Sequence, residues 1–570
     1  MLISPATYTS PVASAPSLRN KLRRFWPMLM VLCLGACASL PENVSRPIST
    51  ALVDNSHTRI GKAVAERAAK AGTHNDSGFA LVGSAELAFS SRMTLIEAAE
   101  KTLDLQYYAI NADATTARML EALQEAAQRG VRVRILLDDF NTAGTNAQVL
   151  KLAFVPNIEM RLFNPLPSGR ASGLVRIISS LSNVARLQRR MHNKIFVADN
   201  AVAITGGRNI GENYFGQSKG TNFVDIDVLA AGRIARDLSQ SFDQYWNNPL
   251  AYPVQSLMTA ADLKAIEPKA QPNNNDINGE ASSRNVENPV TLIKTVQDTP
   301  NPLISTEKSD VIPPTLSDKT NLSLLTWTWA PSVLMVDKPS KIAADADSVE
   351  ASQDTTVDGL LQLMSQAKTD ILIVSPYFVP GERMMQTFAS IKARGVRVRV
   401  LTNSLASNDA PAAHVGYARY RKALLALGIE LYEMRAEQPV SIKSFGSSRN
   451  GFTGSSSIGG SSRTSLHAKV VVIDDRLLVV GSMNLDLRSQ LQNSEVALLI
   501  RNRAIANQAT SLIEPAMMSG AYRVENVDQE LVWRAPQGSG QQDSTTEPDA
   551  SAGLKLLLKL LGPLAPEEML

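Results

Sequence analysis

Only two cysteines occur in the 570 residues, Cys33 and Cys37, and only five histidines. Two cysteines four apart near one end cannot build a disulfide framework or a zinc module, and no cluster with metal-ligand spacing appears elsewhere. No metal or other cofactor is therefore expected. An excess of one charge is also missing. Lys and Arg total 57 against 54 Asp and Glu. Four of the basic residues, Arg19, Lys21, Arg23 and Arg24, lie within the first 36 residues, which hold no acid. Without that stretch, 53 basic groups face 54 acidic ones, about −1 in all. Such a chain has no overall basic field for nucleic acid, and no nucleic-acid partner is expected.

What is present is a duplicated motif. Met-His-Asn-Lys-Ile-Phe-Val-Ala-Asp carries His192, Lys194 and Asp199, followed by Gly206, Gly207 and Asn209. Leu-His-Ala-Lys-Val-Val-Val-Ile-Asp carries His467, Lys469 and Asp474, followed by Gly481, Ser482 and Asn484. Both copies read H-x-K-x4-D-x6-G-[GS]-x-N. One accidental H-x-K-x4-D in this length has odds of roughly a few per cent at average composition, and a second copy with the same trailer removes accident. A lone H-x-K on a strand is ordinarily a solvated face; the matched pair is not.

Each copy reads as strand, turn, strand, with apolar runs on either side of Asp199-Asn200 and of Asp474-Asp475. Residues i and i+2 of a strand face one way, so His192 points with Lys194 and His467 with Lys469. The glycines allow close approach of a ligand. Two copies face to face supply two imidazoles, two ammonium groups and two carboxamides. That set suits a phosphodiester: Lys and Asn oppose developing charge, one neutral imidazole attacks phosphorus, and a protonated one serves the leaving alkoxide. Ser482 adds a hydroxyl donor that Gly207 cannot. Each imidazole also needs an acid to orient its second nitrogen. Asp227 after the first copy and Glu495 after the second are chosen, with Asp225 as the alternative to Asp227. Asp199 and Asp474 are read as ties for the turn or a neighbouring loop, within the motif's catalytic set.

These residues resemble the phospholipase D superfamily, whose paired HKD motifs build one active site, and within it the bacterial cardiolipin synthases of the C type. Supporting stretches are 103–108 (LDLQYY), 136–139 (LLDD), 161–165 (RLFNP), 189–194 (RRMHNK), 375–380 (SPYFVP), 401–409 (LTNSLASND) and 414–421 (HVGYARYR). The similarity runs from about residue 80 to about 520. The resemblance implies an α/β fold of two repeats packed around one shared active site, and a phosphohistidine intermediate. It gives His192 the nucleophile's role and His467 the acid's. The implied reaction is phosphatidyl transfer making cardiolipin, with hydrolysis of lipid or nucleic-acid phosphodiesters as the alternative. Implied partners are phospholipids (phosphatidylglycerol, and phosphatidylethanolamine as a second candidate) and a membrane. Asn403, Asn408, Asp409 and His414 are candidates for reading a head group.

An internal repeat extends beyond the motifs. Arg129-Gly-Val-Arg-Val-Arg-Ile-Leu recurs as Arg394-Gly-Val-Arg-Val-Arg-Val-Leu, each preceded by a strand and a helical pattern. That is a βαβ unit and predicts parallel strands. The Arg-Val-Arg alternation is read as a solvated face. The expected divisions are 1–36 (export signal of lipoprotein type), 37–80 (tether and lead-in), 81–255 (first repeat), 256–320 (connecting insertion), 321–530 (second repeat) and 531–570 (polar linker and C-terminal amphipathic segment). The basic stretch, the apolar run Phe25 to Leu34 and the ending Leu34-Gly-Ala-Cys37 resemble a bacterial lipobox, which would make Cys37 the lipidated residue. The protein is then expected on a membrane facing the periplasm; Ala38 and Ser39 do not decide between inner and outer membrane. Ser441 to Ser465 is either a gate or a passive loop. The segment from Leu554 either packs on the protein or lies on a membrane interface.

Overall fold

The structure, a computed structural model, describes residues 40–73, 75–167, 184–265, 320–343, 355–438 and 463–561. Cys37, the expected export signal, the Gln271 to Pro289 stretch of the connecting insertion and most of the Ser441 to Ser465 loop lie outside them.

In chain order the strands of the first half are β1 (Ser77–Val82), β2 (Thr102–Tyr107), β3 (Arg132–Asp138), β4 (Ile158–Phe163), β5 (Ile195–Ala198), β6 (Val202–Gly206), β7 (Thr221–Val224), β8 (Asp227–Ala231) and β9 (Ala251–Pro253). Then follow β10 (Thr328–Ala330), β11 (Ser332–Val336), β12 (Asp370–Val374), β13 (Arg397–Asn403), β14 (Glu430–Met434), β15 (Arg463–Leu466), β16 (Val470–Ile473), β17 (Leu477–Gly481), β18 (Val496–Arg501), β19 (Ala521–Val527) and β20 (Glu530–Arg534). Among the described residues they form two nine-stranded sheets, ordered β10-β1-β8-β6-β5-β2-β3-β4-β9 and β11-β18-β17-β16-β12-β13-β14-β19-β20. From β1 to β9 and from β11 to β19 the two orders are one topology used twice. The expected parallel βαβ units are at its centre: β2 and β3 flank the helix Ala114–Gln128, and β12 and β13 flank Gly381–Ala393.

The motif strands are buried on both faces, which is why they read as unbroken apolar runs. Val470 and Val472 face a core shared with Phe79, Leu81 and Val228 of the first half, while Val471 and Ile473 face a core of the second half alone. The shared core fixes the halves against each other. Both motif hairpins turn through two residues with positive φ, Asp199 and Asn200 in one, Asp474 and Asp475 in the other. Ala201 and Arg476 close these turns on the carbonyls of Ala198 and Ile473. Two left-handed residues in a two-residue loop are the type I′ geometry that matches strand twist, and Asp and Asn tolerate it best after glycine.

Three expectations need correction. Strand β10 pairs antiparallel with β1, so the chain returns to the first sheet after residue 321 and the second sheet starts at Ser332. The Arg-Val-Arg positions are not a uniformly solvated face. Arg134 is fully buried, 2.6 Å from Asp104 and 2.8 Å from Asp243, beneath the Phe242 ring; Arg399 is buried against Asp370. Parallel register sets Asp104 beside Arg134, and a covering helix (Arg233–Trp246) seals the pair from water. Arg397 is itself about half exposed, in an ion pair with Glu430. Finally, the polar linker expected within 531–570 is not free of the protein body. Glu547 is buried in an ion pair with Arg421, and Ser544 bridges Trp533. The helix Ala552–Leu561 contacts the helix Pro411–Ala426, while Leu556 and Leu560 stay exposed.

Candidate active site

The two motifs meet through crossed pairings. The His192 backbone N–H donates to the Ser494 carbonyl of the second half at 2.9 Å, and the His467 N–H donates to the Val224 carbonyl of the first half at 2.8 Å. Strand β15, which leads into His467, pairs in parallel with β7, which ends at Val224. Each carbonyl belongs to the residue just before an acid. The acid that follows therefore reaches the imidazole of the opposite half. His192 Nδ1 lies 2.9 Å from Glu495 Oε2, and His467 Nδ1 lies 2.8 Å from Asp225 Oδ2. Both carboxylates are fully buried, and the imidazoles are 11% and 6% exposed. A carboxylate on Nδ1 fixes the proton there and leaves the Nε2 lone pair toward the cleft.

The lysines close the cluster. Lys194 Nζ donates to the His192 carbonyl at 2.7 Å, and Lys469 Nζ to the His467 carbonyl at 2.5 Å. Burial, the largest cause, pushes both imidazoles well below their ordinary pKa, and the charges of both lysines act on each of them in the same direction. Both lysines are themselves lowered by burial. Four nitrogen groups from distant segments thus share one buried space.

A family model described as the PLD-like domain of cardiolipin synthase matches residues 93–246 and 360–516. The chain is 35% identical to cardiolipin synthase C of Escherichia coli (strain K12) over 437 residues, 76% of this chain and 83% of that protein. The chain belongs to the phospholipase D superfamily. Within it the chain is cardiolipin synthase-like, a phosphatidyltransferase-type enzyme. It is also 31% identical to an uncharacterised protein of Helicobacter pylori (strain ATCC 700392 / 26695) over 532 residues, 92% of this chain and 95% of the other. The crystal structure of phosphatidylserine synthase from Haemophilus influenzae Rd KW20 superposes with a TM-score of 0.52 at 15% identity, covering 89% of this chain and 99% of that one, and so shares the fold.

Among the superfamily's supporting positions, the orienting acid of the first half is Asp225, not Asp227. Asp227 pairs instead with Arg92 at 2.9 Å and Arg208 at 3.4 Å, all three buried. Sheet register explains the choice. Gly206 pairs with Asp227 and Gly481 with Ala497, so the counterpart of Glu495 is Asp225, two residues before Asp227. The acids also sit across the halves rather than beside their own motif's histidine. Burial raises the carboxyl of Glu495 to about 7 and that of Asp225 to about 6, against the opposing pull of nearby lysines.

Gly207 and Ser482 differ for a steric reason. A Cβ at Gly207 would lie 2.4 Å from Asp225 Oδ1, so the carboxylate occupies the space a serine needs. In the second half Ser482 Oγ donates to Glu495 Oε2 at 2.5 Å. The serine therefore holds the orienting acid instead of a phosphate. Asn209 is similarly committed, accepting from Ala109 N–H and donating to the Tyr214 hydroxyl. Asn484 Oδ1 is buried with no hydrogen-bond partner among the described residues, which leaves that carboxamide available to a ligand. Asp199 stands apart from the imidazoles, accepting the backbone N–H groups of Glu100, Lys101 and Thr102 at 2.8 to 3.0 Å. Asp474 repeats this with Lys368, Thr369 and Asp370. Both tie the hairpin to the strand beside it and touch no reacting atom.

Of the head-group candidates, only Asp409 acts on the site: its hydroxyl partner is Tyr377 at 2.9 Å, and its charge bears on His467 and Lys469. Asn403 clamps Leu466 from both sides, Asn408 caps Ala410, and His414 is buried beside Arg421 and Glu547. Sequence reasoning missed the rings that wall the imidazoles. Tyr108 meets His192 edge-on at 5.2 Å, and Tyr214 and Phe223 meet His467 at 5.2 and 4.9 Å. Tyr108 ends the LDLQYY stretch, so its signal was in hand without a role attached.

Proposed function

We propose that this enzyme joins two phospholipids into cardiolipin through a phosphohistidine on His192. The observation that carries the reading is the crossed pairing, which frees one Nε2 from each half toward one cation-lined space. His192 Nε2 attacks phosphorus of the first lipid; the N–P bond forms as the P–O bond to the head group breaks. His467 gives its Nε2 proton to the departing oxygen. The hydroxyl of a second lipid then returns a proton to His467 as its oxygen displaces His192. One phosphodiester replaces another, so no nucleotide is consumed. Burial and the lysine charges favour the neutral form of both imidazoles in the free site, and the bound phosphodiester supplies the negative charge that lets His467 take up its proton. Asp409 pulls the same way on His467, which favours the acid's role there.

The same proposal places the protein on a bacterial membrane, facing the periplasm, through lipid on Cys37. The lipobox-like ending supports it, as does a reaction whose donor and acceptor are both lipids. Among the described residues no helix is long and apolar enough to cross a membrane. With labelled phosphatidylglycerol, alone and with phosphatidylethanolamine, the purified protein is expected to give a tetra-acyl diphosphorylated product. Phosphatidic acid alone would instead mark water as the acceptor. In cells, Cys37→Ala is expected to move the protein out of the membrane fraction, and unchanged partition would remove the lipid anchor from the account.

A further inference from the structure

Behind Glu495 stands a buried ion pair that the reaction as described does not use. Lys341 Nζ is 2.8 Å from Asp337 Oδ2 and donates to the Ser489 carbonyl at 2.9 Å. Both side chains are nearly inaccessible. Asp337 Oδ2 also accepts the Glu495 backbone N–H at 3.0 Å, and the Asp337 N–H donates to the Glu495 carbonyl at 3.0 Å. Its Oδ1 takes the Thr356 N–H and hydroxyl, and its carbonyl takes the Tyr245 hydroxyl at 2.6 Å. Ser489 closes the circuit, donating its hydroxyl to Glu495 Oε1 at 3.0 Å. The crossing segment between the halves thus grips Glu495 by its main chain and, through Ser489, by its carboxylate. Tyr245 belongs to a first-half helix, so three parts of the molecule meet here.

The first half has an equivalent built from unrelated positions. Asp225 is backed by Arg208, which donates to its carbonyl at 2.5 Å and pairs with Asp227. Asp227 has only Ala497 as its register counterpart, so the second half obtains its cation and carboxylate from residues 337 and 341. A cation–carboxylate pair behind each orienting acid is common to both sides of the site.

We propose that the Asp337–Lys341 pair is a positioning device that sets the charge of Glu495 and, through it, the proton affinity of His192. This rests on the reading of His192 and Glu495 as the reacting pair. The groups facing Glu495 are His192, Lys194 and Lys469 from the cleft, Asp486, Ser482 and Ser489 beside it, Tyr245 from the first half, and the pair itself. Lys341 lowers the proton affinity of Glu495, while Asp337 and Glu495 repel. Intact, the two effects oppose each other. Broken from either end, the pair moves Glu495 in opposite directions.

The test is the pH profile of kcat/KM for the full chain acting on phosphatidylglycerol. Lys341→Met leaves Asp337 uncompensated, so Glu495 holds its proton to higher pH and the acid limb rises by about one pH unit. Asp337→Asn leaves Lys341 uncompensated and is expected to lower that limb. The double variant is expected to return toward wild type despite removing more structure. Singles that shift the limb the same way, or leave it unmoved, overturn the proposal. If Lys341→Met does not fold, the downward shift in Asp337→Asn decides alone. Imidazole nitrogen NMR of His192 in the same variants reads the coupling without turnover, so a failed assignment of the reaction is separable from a failed assignment of this pair.

Discussion

Replacing His192 by alanine is expected to cut turnover by about 10⁴-fold or more on every substrate, whatever its leaving group. On the proposed mechanism His192 forms the bond on which both halves of the reaction depend. His467→Ala is expected to behave differently. With a glycerol leaving group the alkoxide needs a proton, and loss of the acid costs about 10²- to 10⁴-fold. With p-nitrophenol as the leaving group the anion departs unaided, so the first-turnover burst of p-nitrophenol is expected to recover, while steady-state turnover stays low because the acceptor hydroxyl still needs His467 to take its proton. The contrast between the two variants across two leaving groups assigns the roles. If His192→Ala is the variant rescued by the better leaving group, the roles are exchanged.

Glu495→Gln is expected to cost about 10³- to 10⁴-fold in kcat with little change in melting temperature. The shape is kept, and one of Ser482 and Ser489 retains an oxygen to donate to while the other faces the amide NH2. The amide, however, can present its N–H to His192 Nδ1, which moves the ring proton to Nε2 and removes the attacking lone pair. Asp227→Asn is expected to show the reverse pattern. It leaves Arg92 and Arg208 buried beside a neutral partner, a change that costs about 3–5 kcal/mol of stability, while turnover of the folded fraction stays within about tenfold. If Asp227→Asn lost turnover at unchanged stability, the assignment of Asp225 as orienting acid would be wrong.

Much of this site was legible because its local rules are strict. Paired strands of four or five apolar residues around Asp-Asn and Asp-Asp admit little but tight hairpins, and a strand at the centre of a covered sheet must be apolar on both sides. The repeated βαβ unit followed from the Arg-Gly-Val-Arg-Val-Arg stretch for the same reason. What stayed hidden depended on register between distant strands. Five extra residues separate Gly206 from Asp225 compared with Gly481 from Glu495, so counting from the glycines does not align the acids. Aligning Asp225-Ile-Asp-Val with Glu495-Val-Ala-Leu by their apolar residues would have done so. The burial of Arg134 was hidden because Asp243, its second partner, comes from a helix more than a hundred residues away. Ser482 and Asn209 looked like phosphate ligands because their committed partners, Glu495 and Tyr214, are supplied by the fold.

The most direct measurement is trapping of the enzyme in alkaline denaturant during turnover of a phospholipid labelled in its phosphate, followed by mapping of the labelled peptide at alkaline pH. One label per chain, on His192, stable to alkali and labile to acid, is the predicted result. Label on both histidines, or turnover with a full burst of head group and no bound phosphate, would contradict a single phosphorus held between the two halves.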